Sequence, residues 1–568
     1  MDEGAIEKAG MQPLEPALAH IAEINSRDDL SKYVAGRHKT GIDSGLLFRF
    51  SSDQDFDNSS NVIAFVWAAG LGLPDRDYYT KNDAKSQETR QRYVEHVQRM
   101  LELIGESATD AQRDAQSVMN IETALARASL TRVEKRNPYN LKHKYAREDL
   151  DHMAPAFDWD AYLEAINPPH FEQVNITEPK FLDEVNRELR GEGLDKWRAY
   201  LRWHLVHADA PYLSSKFVQE NFDFYSKYLE GIEMMPPRWK KCTRLVDRDL
   251  GEALGQVFVA KTFAPATKQD AVKMTKEIEL AMQQEIGRLT WMSEETKQRA
   301  LEKLHSVVNK VAYPDKWRDY SSVEIEPDDF IADVAQASGF ERARQLAKIG
   351  KPLDRGEWYM TPPTVDAYYS GQTNDINFPA GVLQPPLFDP TMDDAPNYGN
   401  TGATIGHELT HGFDDEGRRF DAQGNLKDWW TPADSQQFEK RVSCVRNQYA
   451  QYTVVDDVKI NSSLTLGEDV ADIGGTLLAY IAWKHATSGQ DLKPVDGFTP
   501  DQRFFVGMAQ WACGDERPES KRQHAILDPH SPDEYRINGV VSDLPQFGQA
   551  FSCKAGRPMV RQNPCRVW

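Results

Sequence analysis

The sequence predicts a mainly α-helical protein with small β parts. In the first half, apolar side chains recur near a period of 3.6 residues across two long segments, 87–105 and 267–292. In the second half, two short β-rich stretches, 365–369 and 376–378, are followed by residues typical of helix N-termini. These observations favour helices as the main elements of both halves of the chain.

The predicted helices of the first half have identifiable ends. The segment 87–105 aligns Tyr93 and Val97 on one face, and Gly105 is suited to end it. The segment 267–292 is followed by a second helix start at Ser293, an N-cap residue with two glutamates in the next turn.

The second half begins after residues 313–356, an interval rich in proline, aspartate and glycine where we place a domain boundary. The stretches 365–369 and 376–378 are predicted as short strands joined by a turn. Thr431 and Thr499 each precede a proline and are predicted to cap helices, the latter in a capping box with Gln502.

Composition limits the class of function. The chain has 568 residues, of which 40% are hydrophobic and 27% charged, as expected for a globular protein with more than one domain. The net charge of −21 argues against nucleic-acid binding, which needs a basic surface. The sequence holds no apolar run long enough for a membrane span.

His407, Glu408 and His411 form an H-E-x-x-H motif. On a helix, positions i and i+4 share one face, so both imidazoles can bind one metal ion. Glu408 lies next to the first histidine and can face a water on that metal, which is the arrangement of a zinc peptidase. The alternative for the pentapeptide alone is two surface histidines on an ordinary helix.

Glu468 is the candidate for a third ligand, since catalytic zinc takes three protein ligands and a water. Asp472 lies four residues later on the same predicted helix and suits a hydrogen bond to a ligand histidine. The alternative is that both carboxylates form a solvated acidic face. Asp414 and Asp415 either support His411 in the same way or lie in a solvated turn.

Further motifs resemble the neprilysin and endothelin-converting-enzyme family of zinc metallopeptidases, in a bacterial form. The family motifs G-E-N-I-A-D, V-N-A-F/Y-Y, F-P-A-G-x-L-Q-P-P, H-S-P-x-x-x-R and C-R-V-W correspond to Gly467–Asp472, Val365–Tyr369, Phe378–Pro386, His530–Arg536 and Cys565–Trp568. The resemblance is densest over residues 358–568 and continues more weakly upstream.

The resemblance implies two mostly helical lobes of the gluzincin type that enclose a central cavity. Residues 1–314 would cover the active site, and residues 315–568 would hold one zinc ion per chain. Such a cavity would admit oligopeptides and exclude folded proteins. We therefore expect a monomeric, zinc-dependent endopeptidase that hydrolyses oligopeptides by zinc-activated water and prefers an apolar residue on the primed side of the scissile bond.

The resemblance also implies roles for individual side chains. Glu408 is expected to take a proton from the water and pass it to the leaving nitrogen. His530 is expected to stabilise the oxyanion, and Arg536 to bind a substrate carbonyl. Without the resemblance, His530 would be an ordinary surface histidine and Arg536 a member of a surface salt bridge.

The strand 365–369 is expected to bind the substrate backbone as an added strand, through Asp366 and Ala367. Asp366 replaces the family asparagine, and an ionised carboxylate accepts hydrogen bonds but cannot donate them. We therefore expect weaker or altered binding on the primed side. We expect the primed pocket to be lined by mostly apolar residues: Val382, Leu387, Ala403, Thr404, Trp511 and Ala512. The alternative for each of them is packing in the core.

Five cysteines bear on the compartment. Cys444 and Cys565 resemble a family pair, so one disulfide is expected. Cys242, Cys513 and Cys553 resemble positions whose partners lie N-terminal to this sequence, which suggests an N-terminally incomplete chain. Residues 1–20 lack the features of a signal peptide, which a missing segment would carry. The cysteine pattern favours the periplasm or the extracellular space.

Two other functions are compatible with part of the pattern. A non-catalytic peptide-binding relative would keep the fold without the reaction, but the intact His407, Glu408, His411 and Glu468 argue against it. An aminopeptidase would need an anchor for the substrate amine, and the sequence contains no G-x-M-E-N segment of that kind.

Overall fold

The computed structural model describes residues 2–326 and 329–568. The chain folds into two compact units: Met1–Asp55, Ser60–Leu245 and Asp319–Leu353 form the first, and Phe56–Ser59, Val246–Arg318 and Asp354–Trp568 form the second. The segment Val246–Arg318, most of which the sequence assigns to an N-terminal lobe, therefore belongs with the segments that carry the H-E-x-x-H motif. The functional division into lobes 1–314 and 315–568 stays a prediction.

Helices make up most of the regular structure, as the sequence predicts. In chain order they are α1 (Glu3–Ala9), α2 (Glu15–Glu23), α3 (Arg27–Thr40), α4 (Asp77–Thr80), α5 (Ala84–Leu103), α6 (Ala108–Ala128), α7 (Arg132–Lys135), α8 (Asp149–Met153), α9 (Trp159–Ile166), α10 (Pro179–Gly191), α11 (Leu194–Asp209), α12 (Ser215–Asn221), α13 (Arg238–Thr262), α14 (Pro265–Arg288), α15 (Glu294–His305), α16 (Phe330–Leu346), α17 (Asp394–Asn397), α18 (Ala403–His411), α19 (Pro432–Tyr449), α20 (Leu466–Ala486), α21 (Pro500–Trp511), α22 (Pro518–Leu527), α23 (Asp533–Ser542) and α24 (Pro545–Ala550).

The sheets are small. The strands are β1 (Phe48–Gln54), β2 (Val62–Ala68), β3 (Lys144–Ala146), β4 (Gln173–Ile176), β5 (Val308–Ala312), β6 (Tyr368–Ser370), β7 (Asp375–Pro379), β8 (Thr453–Val455) and β9 (Val458–Lys459). The first unit holds a mixed sheet of order β1-β2-β4-β3, and the second holds a mixed sheet of order β5-β7-β6 and the β8-β9 hairpin. In the sheet of the second unit, β6 is an edge strand, antiparallel to β7.

Side-chain caps explain where several helices begin. Asp83 caps α5, which therefore starts three residues before the predicted position, at 84 instead of 87. Ser293, Thr431 and Thr499 cap α15, α19 and α21 as predicted, and Thr499 forms the predicted capping box with Gln502. These signals are local, so the sequence alone is enough to place them.

Two predicted elements are shorter in the structure. β6 begins at Tyr368, and residues 368–370 pair with β7, so the strand expected over 365–369 forms only in part. The Asp366 carboxylate accepts a hydrogen bond of 2.9 Å from the backbone N–H of Ala367, a local contact that competes with strand pairing. The helix expected over 267–292 ends at Arg288, after which Leu289 has an extended backbone.

Helices α18 and α20 meet backbone to backbone at two glycines. A Cβ atom on Gly406 would lie 2.4 Å from the carbonyl oxygen of Gly475, and a Cβ atom on Gly475 would lie 2.2 Å from the backbone nitrogen of His407. Both distances are too short for any side chain, so the glycines are what allow the two helices to approach this closely. This contact brings the first turn of α20 next to the H-E-x-x-H motif.

The C-terminus closes the core of the second unit. The predicted disulfide between Cys444 and Cys565 is confirmed, with a Cα–Cα distance of 5.6 Å. Trp568 is buried against Phe413 and Phe438. Cys242, Cys513 and Cys553 carry free thiols. Within residues 2–326 and 329–568, no helix combines the length and apolar character that crossing a membrane requires.

Candidate active site

Helix α18 presents both motif histidines from one face. His407 and Glu408 are buried and His411 is mostly buried. The Nε2 atoms of the two imidazoles lie 2.9 Å apart, as the i, i+4 spacing predicts. Glu408 faces the same point, because its carboxylate and the two imidazoles have ligand atoms within 4.8 Å of one another.

The first turn of α20 places Glu468 opposite these histidines. Its Oε2 atom lies 3.2 Å from the Nε2 atom of His407 and 3.2 Å from that of His411. One turn later, the Asp472 carboxylate accepts a hydrogen bond of 2.7 Å from Nδ1 of His407. The packing of the two helices therefore places the predicted carboxylates next to the predicted histidines. These residues are too far apart in sequence for a local pattern to predict the contact.

Asp414 orients the second histidine. Its Oδ2 atom accepts a hydrogen bond of 2.7 Å from Nδ1 of His411, and the residue is only 3% exposed. Its Oδ1 atom accepts hydrogen bonds from the backbone N–H groups of Glu416 and Gly417, at 2.8 and 2.7 Å. Of the two alternatives that the sequence left open for Asp414, the structure therefore shows support of His411, within a buried turn.

The site fits a cation. Because carboxylates contact Nδ1 of both imidazoles, the two Nε2 atoms are the ones left to bind a cation together with Glu468. The Oε2 atom of Glu468 is buried and has no hydrogen-bond partner among the described residues. Ligand atoms at ~2.1 Å from a tetrahedral zinc ion are about 3.4 Å apart, close to the separations found here.

His530 lies on the other side of Glu468. Its Nε2 atom is 3.2 Å from Oε2 of Glu468, and its Nδ1 atom is 2.6 Å from Oδ1 of Asp528. Burial alone would lower the pKa of His530, but the Glu468 and Asp528 carboxylates outweigh it and raise this pKa to about 10. The imidazole is therefore positively charged near neutral pH. The sequence reasoning missed Asp528, which lies only two residues before His530.

Arg536 forms a two-pronged ion pair with Asp472. Its Nε and Nη2 atoms each donate a hydrogen bond of 2.8 Å to one oxygen of that carboxylate. Burial would raise the pKa of Asp472, but the Arg536 charge lowers it to about 2, so the carboxylate stays ionised. The Arg536 guanidinium also lies over the indole of Trp511, 4.1 Å from the ring centre. Trp511 is thereby linked to the site, 6.3 Å from the His407 ring.

Glu408 differs electrostatically from Glu468. Burial raises the pKa of Glu408, and the nearby Glu468 and Asp366 carboxylates add to that increase. The neighbouring charges of His411 and His530 instead hold the pKa of Glu468 well below its usual range, despite its burial. Glu408 is therefore the carboxylate with the greater tendency to take up a proton.

The predicted pocket residues lie in different surroundings. Asp366 is exposed and lies two residues before the edge strand β6. Val382 is 6% exposed and belongs to the core, whereas Leu387 and Ala403 are partly buried and pack against that core. For Val382 the structure therefore shows the core packing that was the alternative at the sequence level, and a role in substrate binding stays a prediction for all four.

Comparison with known proteins identifies the family. Two sequence models described as peptidase family M13 match residues 1–314 and 366–567. Endothelin-converting enzyme 1 of Bos taurus is 34% identical over 595 residues, covering 100% of this chain and 78% of that protein. Neprilysin-11 of Caenorhabditis elegans is 31% identical over 565 residues, covering 95% of this chain and 66% of that protein.

Solved structures agree with this result. The Mycobacterium tuberculosis zinc metalloprotease ZMP1 in complex with an inhibitor is 35% identical, with a TM-score of 0.96 and coverage of 100% of this chain and 87% of that chain. PEPO from Lactobacillus rhamnosis is 26% identical, with a TM-score of 0.89 and coverage of 99% and 87%. The predicted family is confirmed: the chain belongs to peptidase family M13 and is a zinc metalloendopeptidase with the two-domain gluzincin fold.

Proposed function

We propose that His407, His411 and Glu468 bind one zinc ion per chain and that Glu408 serves as the general base for hydrolysis of internal peptide bonds. The observation that carries this proposal is the buried Oε2 atom of Glu468, which lies 3.2 Å from the Nε2 atoms of both motif histidines and has no hydrogen-bond partner among the described residues. Glu408 belongs to the same cluster. We assign the third ligand to Glu468 because its Oε2 atom is 3.2 Å from both Nε2 atoms.

Zinc held there would supply a water with a pKa lowered to about 7 and would polarise the scissile carbonyl. Glu408 would accept the proton of that water and deliver it to the leaving nitrogen. Its raised pKa, which follows first from burial, suits a group that must both take and release a proton. Asp472 and Asp414 would fix the imidazole tautomers and increase their basicity toward a metal.

His530 and Arg536 would act on the substrate. His530 carries a positive charge that Asp528 holds in place, so it is suited to donate a hydrogen bond to the developing oxyanion. Arg536 is held by Asp472 on one side and Trp511 on the other, which leaves its remaining N–H groups for a substrate carbonyl. Both residues would be ordered before the substrate binds, which lowers the entropic cost of catalysis.

We further propose that the substrate is an oligopeptide, bound along the edge strand β6 through Asp366 and Ala367, with an apolar side chain on the primed side near Val382, Leu387 and Trp511. The position of β6 at the edge of its sheet supports added-strand binding, which is tolerant of sequence. The proposed lobes, 1–314 over the site and 315–568 holding the metal, would restrict access to short chains.

The compartment and the assembly are part of the same proposal. The disulfide Cys444–Cys565 supports a location in the periplasm or outside the cell, since such bonds persist in oxidising compartments. We expect the enzyme to act as a monomer, because every predicted catalytic residue lies in one unit of one chain. Cleavage by the monomer fraction from gel filtration tests this expectation.

A quenched fluorescent oligopeptide with blocked termini tests the function. We expect the protein to cleave it internally, a chelator to stop the cleavage, and Glu408→Gln to abolish it while about one zinc per chain remains bound. Glu95→Gln, on the exposed face of α5, is the control and should behave like the wild type. Zinc-bound wild-type protein without activity, or a Glu408→Gln variant with full activity, would contradict the proposal.

A further inference from the structure

Lys303 is a fully buried lysine on α15, with an exposed fraction of 0%. Its Nζ atom donates hydrogen bonds of 2.7 Å to the carbonyl oxygen of Gly417 and 2.8 Å to that of Phe420. Among the residues that the structure describes, Lys303 forms no ion pair with a carboxylate. Burying an ammonium group without a paired carboxylate is costly. The two carbonyl oxygens that accept its hydrogen bonds therefore deserve a physical explanation.

Both acceptors belong to the turn that follows α18. This turn, residues 412–420, contains Asp414. Its residues Gly417–Arg419 form a short 3-10 helix. A Cβ atom on Gly417 would lie 1.7 Å from the carbonyl oxygen of His411, so the turn folds tightly back onto the end of the motif helix. The position of the turn therefore affects the position of His411.

A chain of three hydrogen bonds joins Lys303 to His411. Lys303 donates to the Gly417 carbonyl at 2.7 Å, the Gly417 N–H donates to Oδ1 of Asp414 at 2.7 Å, and Oδ2 of Asp414 accepts from Nδ1 of His411 at 2.7 Å. The rings of Tyr369 and Phe413 lie 5.8 and 5.6 Å from Nζ and favour a cation there.

We propose that Lys303 is a positioning residue for the metal ligand His411, acting through the turn 412–420 and Asp414. Nζ holds the Gly417 carbonyl, and the N–H of the same peptide group, that of Arg418, donates a hydrogen bond of 3.2 Å to the backbone carbonyl oxygen of Asp414. Asp414 is in turn held with one oxygen aimed at His411. Without the Nζ donors, the turn would lose two hydrogen bonds that connect it to α15. This proposal rests on the zinc site proposed above.

The test compares two buried lysines of the same unit. Lys303→Met removes the donors but keeps most of the side-chain volume. Lys310→Met is the matched control, because Lys310 is also buried but bonds to Asp375 and to the Glu357 carbonyl, away from His411. Zinc dissociation constants, measured by competition with a chelator on folded protein, provide a readout that does not depend on activity.

We expect Lys303→Met to weaken zinc binding about tenfold, the lower end of the range for residues that support metal ligands. It should also lower kcat with little change in KM, whereas Lys310→Met should leave the zinc dissociation constant unchanged. Lys303→Gln keeps two N–H donors on a shorter side chain and should give an intermediate value. It also provides a folded variant if the methionine variant does not fold.

A double-mutant comparison tests the path. Asp414→Asn should weaken zinc binding on its own, and adding Lys303→Met to it should cause little further loss, because both changes break one chain of hydrogen bonds. Equal zinc affinities for Lys303→Met and Lys310→Met, or fully additive losses with Asp414→Asn, would overturn the role of Lys303. A wild-type chain that binds no zinc would overturn the zinc site and this role together.

Discussion

The two units each bury a glutamate among histidine and aromatic side chains, but the hydrogen bonding of the two carboxylates differs. In the first unit, Glu122 accepts four hydrogen bonds: from the hydroxyls of Tyr79 and Tyr93 at 2.8 and 2.7 Å, from Nε1 of Trp203 at 3.2 Å, and from Nε2 of His204 at 3.0 Å. Each oxygen of this carboxylate therefore meets two donors. The negative charge of Glu122 is satisfied entirely within the protein.

In the second unit, the groups around Glu468 leave one of its carboxylate oxygens without a hydrogen bond. Its Oε2 atom lies 3.2 Å from the Nε2 atoms of His407, His411 and His530 but has hydrogen-bond geometry with none of them. The Nδ1 atoms of the two motif histidines already form hydrogen bonds with Asp472 and Asp414. Glu122 therefore has all its acceptor positions filled by the protein, whereas Oε2 of Glu468 is left for the proposed zinc ion.

The largest predicted effect comes from making the same substitution, glutamate to glutamine, at each of these two positions. We expect Glu468→Gln to lower zinc affinity and kcat/KM by more than about 100-fold, beyond the range of residues that only support a ligand, with little change in stability. Glu122→Gln should lower the free energy of unfolding by about 2 kcal/mol, because its amide would face former donors, and should leave zinc binding intact. Zinc titration and urea unfolding of both variants would separate the two roles, and reversed results would break the comparison.

A smaller effect concerns the buried cation beside the site. Burial lowers the pKa of Lys303 to about 7, although the Asp414 and Asp421 carboxylates oppose the decrease and the Tyr369 ring faces the same group. Between this value and the ordinary lysine pKa, the unfolded chain binds more protons, so stability should increase with pH. The expected gain is about 1.5 kcal/mol between pH 7 and pH 8.5.

Urea unfolding at the two pH values measures this gain, and Lys303→Met isolates it from other titrating groups. The wild type should become more stable relative to the variant as the pH rises. A constant difference between the two proteins across this range would show that Lys303 keeps its ordinary pKa.

The smallest predicted effect is at the exposed rim. Asp366→Asn adds an N–H donor next to β6, which a substrate carbonyl can use, so KM should fall about fivefold, as for one hydrogen bond of ~1 kcal/mol. The value of kcat should change little, since Asp366 is exposed and hydrogen-bonds locally to Ala367. Kinetic constants for peptides of increasing primed length measure this, and identical constants at every length would exclude a role for Asp366.

Much of the fold was open to prediction because its signals are local. The caps at Ser293, Thr431 and Thr499 depend on contacts three residues apart, and the sequence placed all three correctly. The strand 365–369 was predicted too long, because pairing with β7 is a tertiary contact that starts only at Tyr368.

By itself, the sequence determined the family, the disulfide partners by resemblance, and the face of α18 that carries His407 and His411, since a helical period of 3.6 requires their proximity. Only the tertiary structure decided that Asp414 supports His411 and that Lys303 holds the turn between them. Asp414 is only three residues from His411, but its orientation depends on the fold of the turn. The contacts of Lys303 join residues more than 100 positions apart, and their geometry depends on how helices pack rather than on any local pattern.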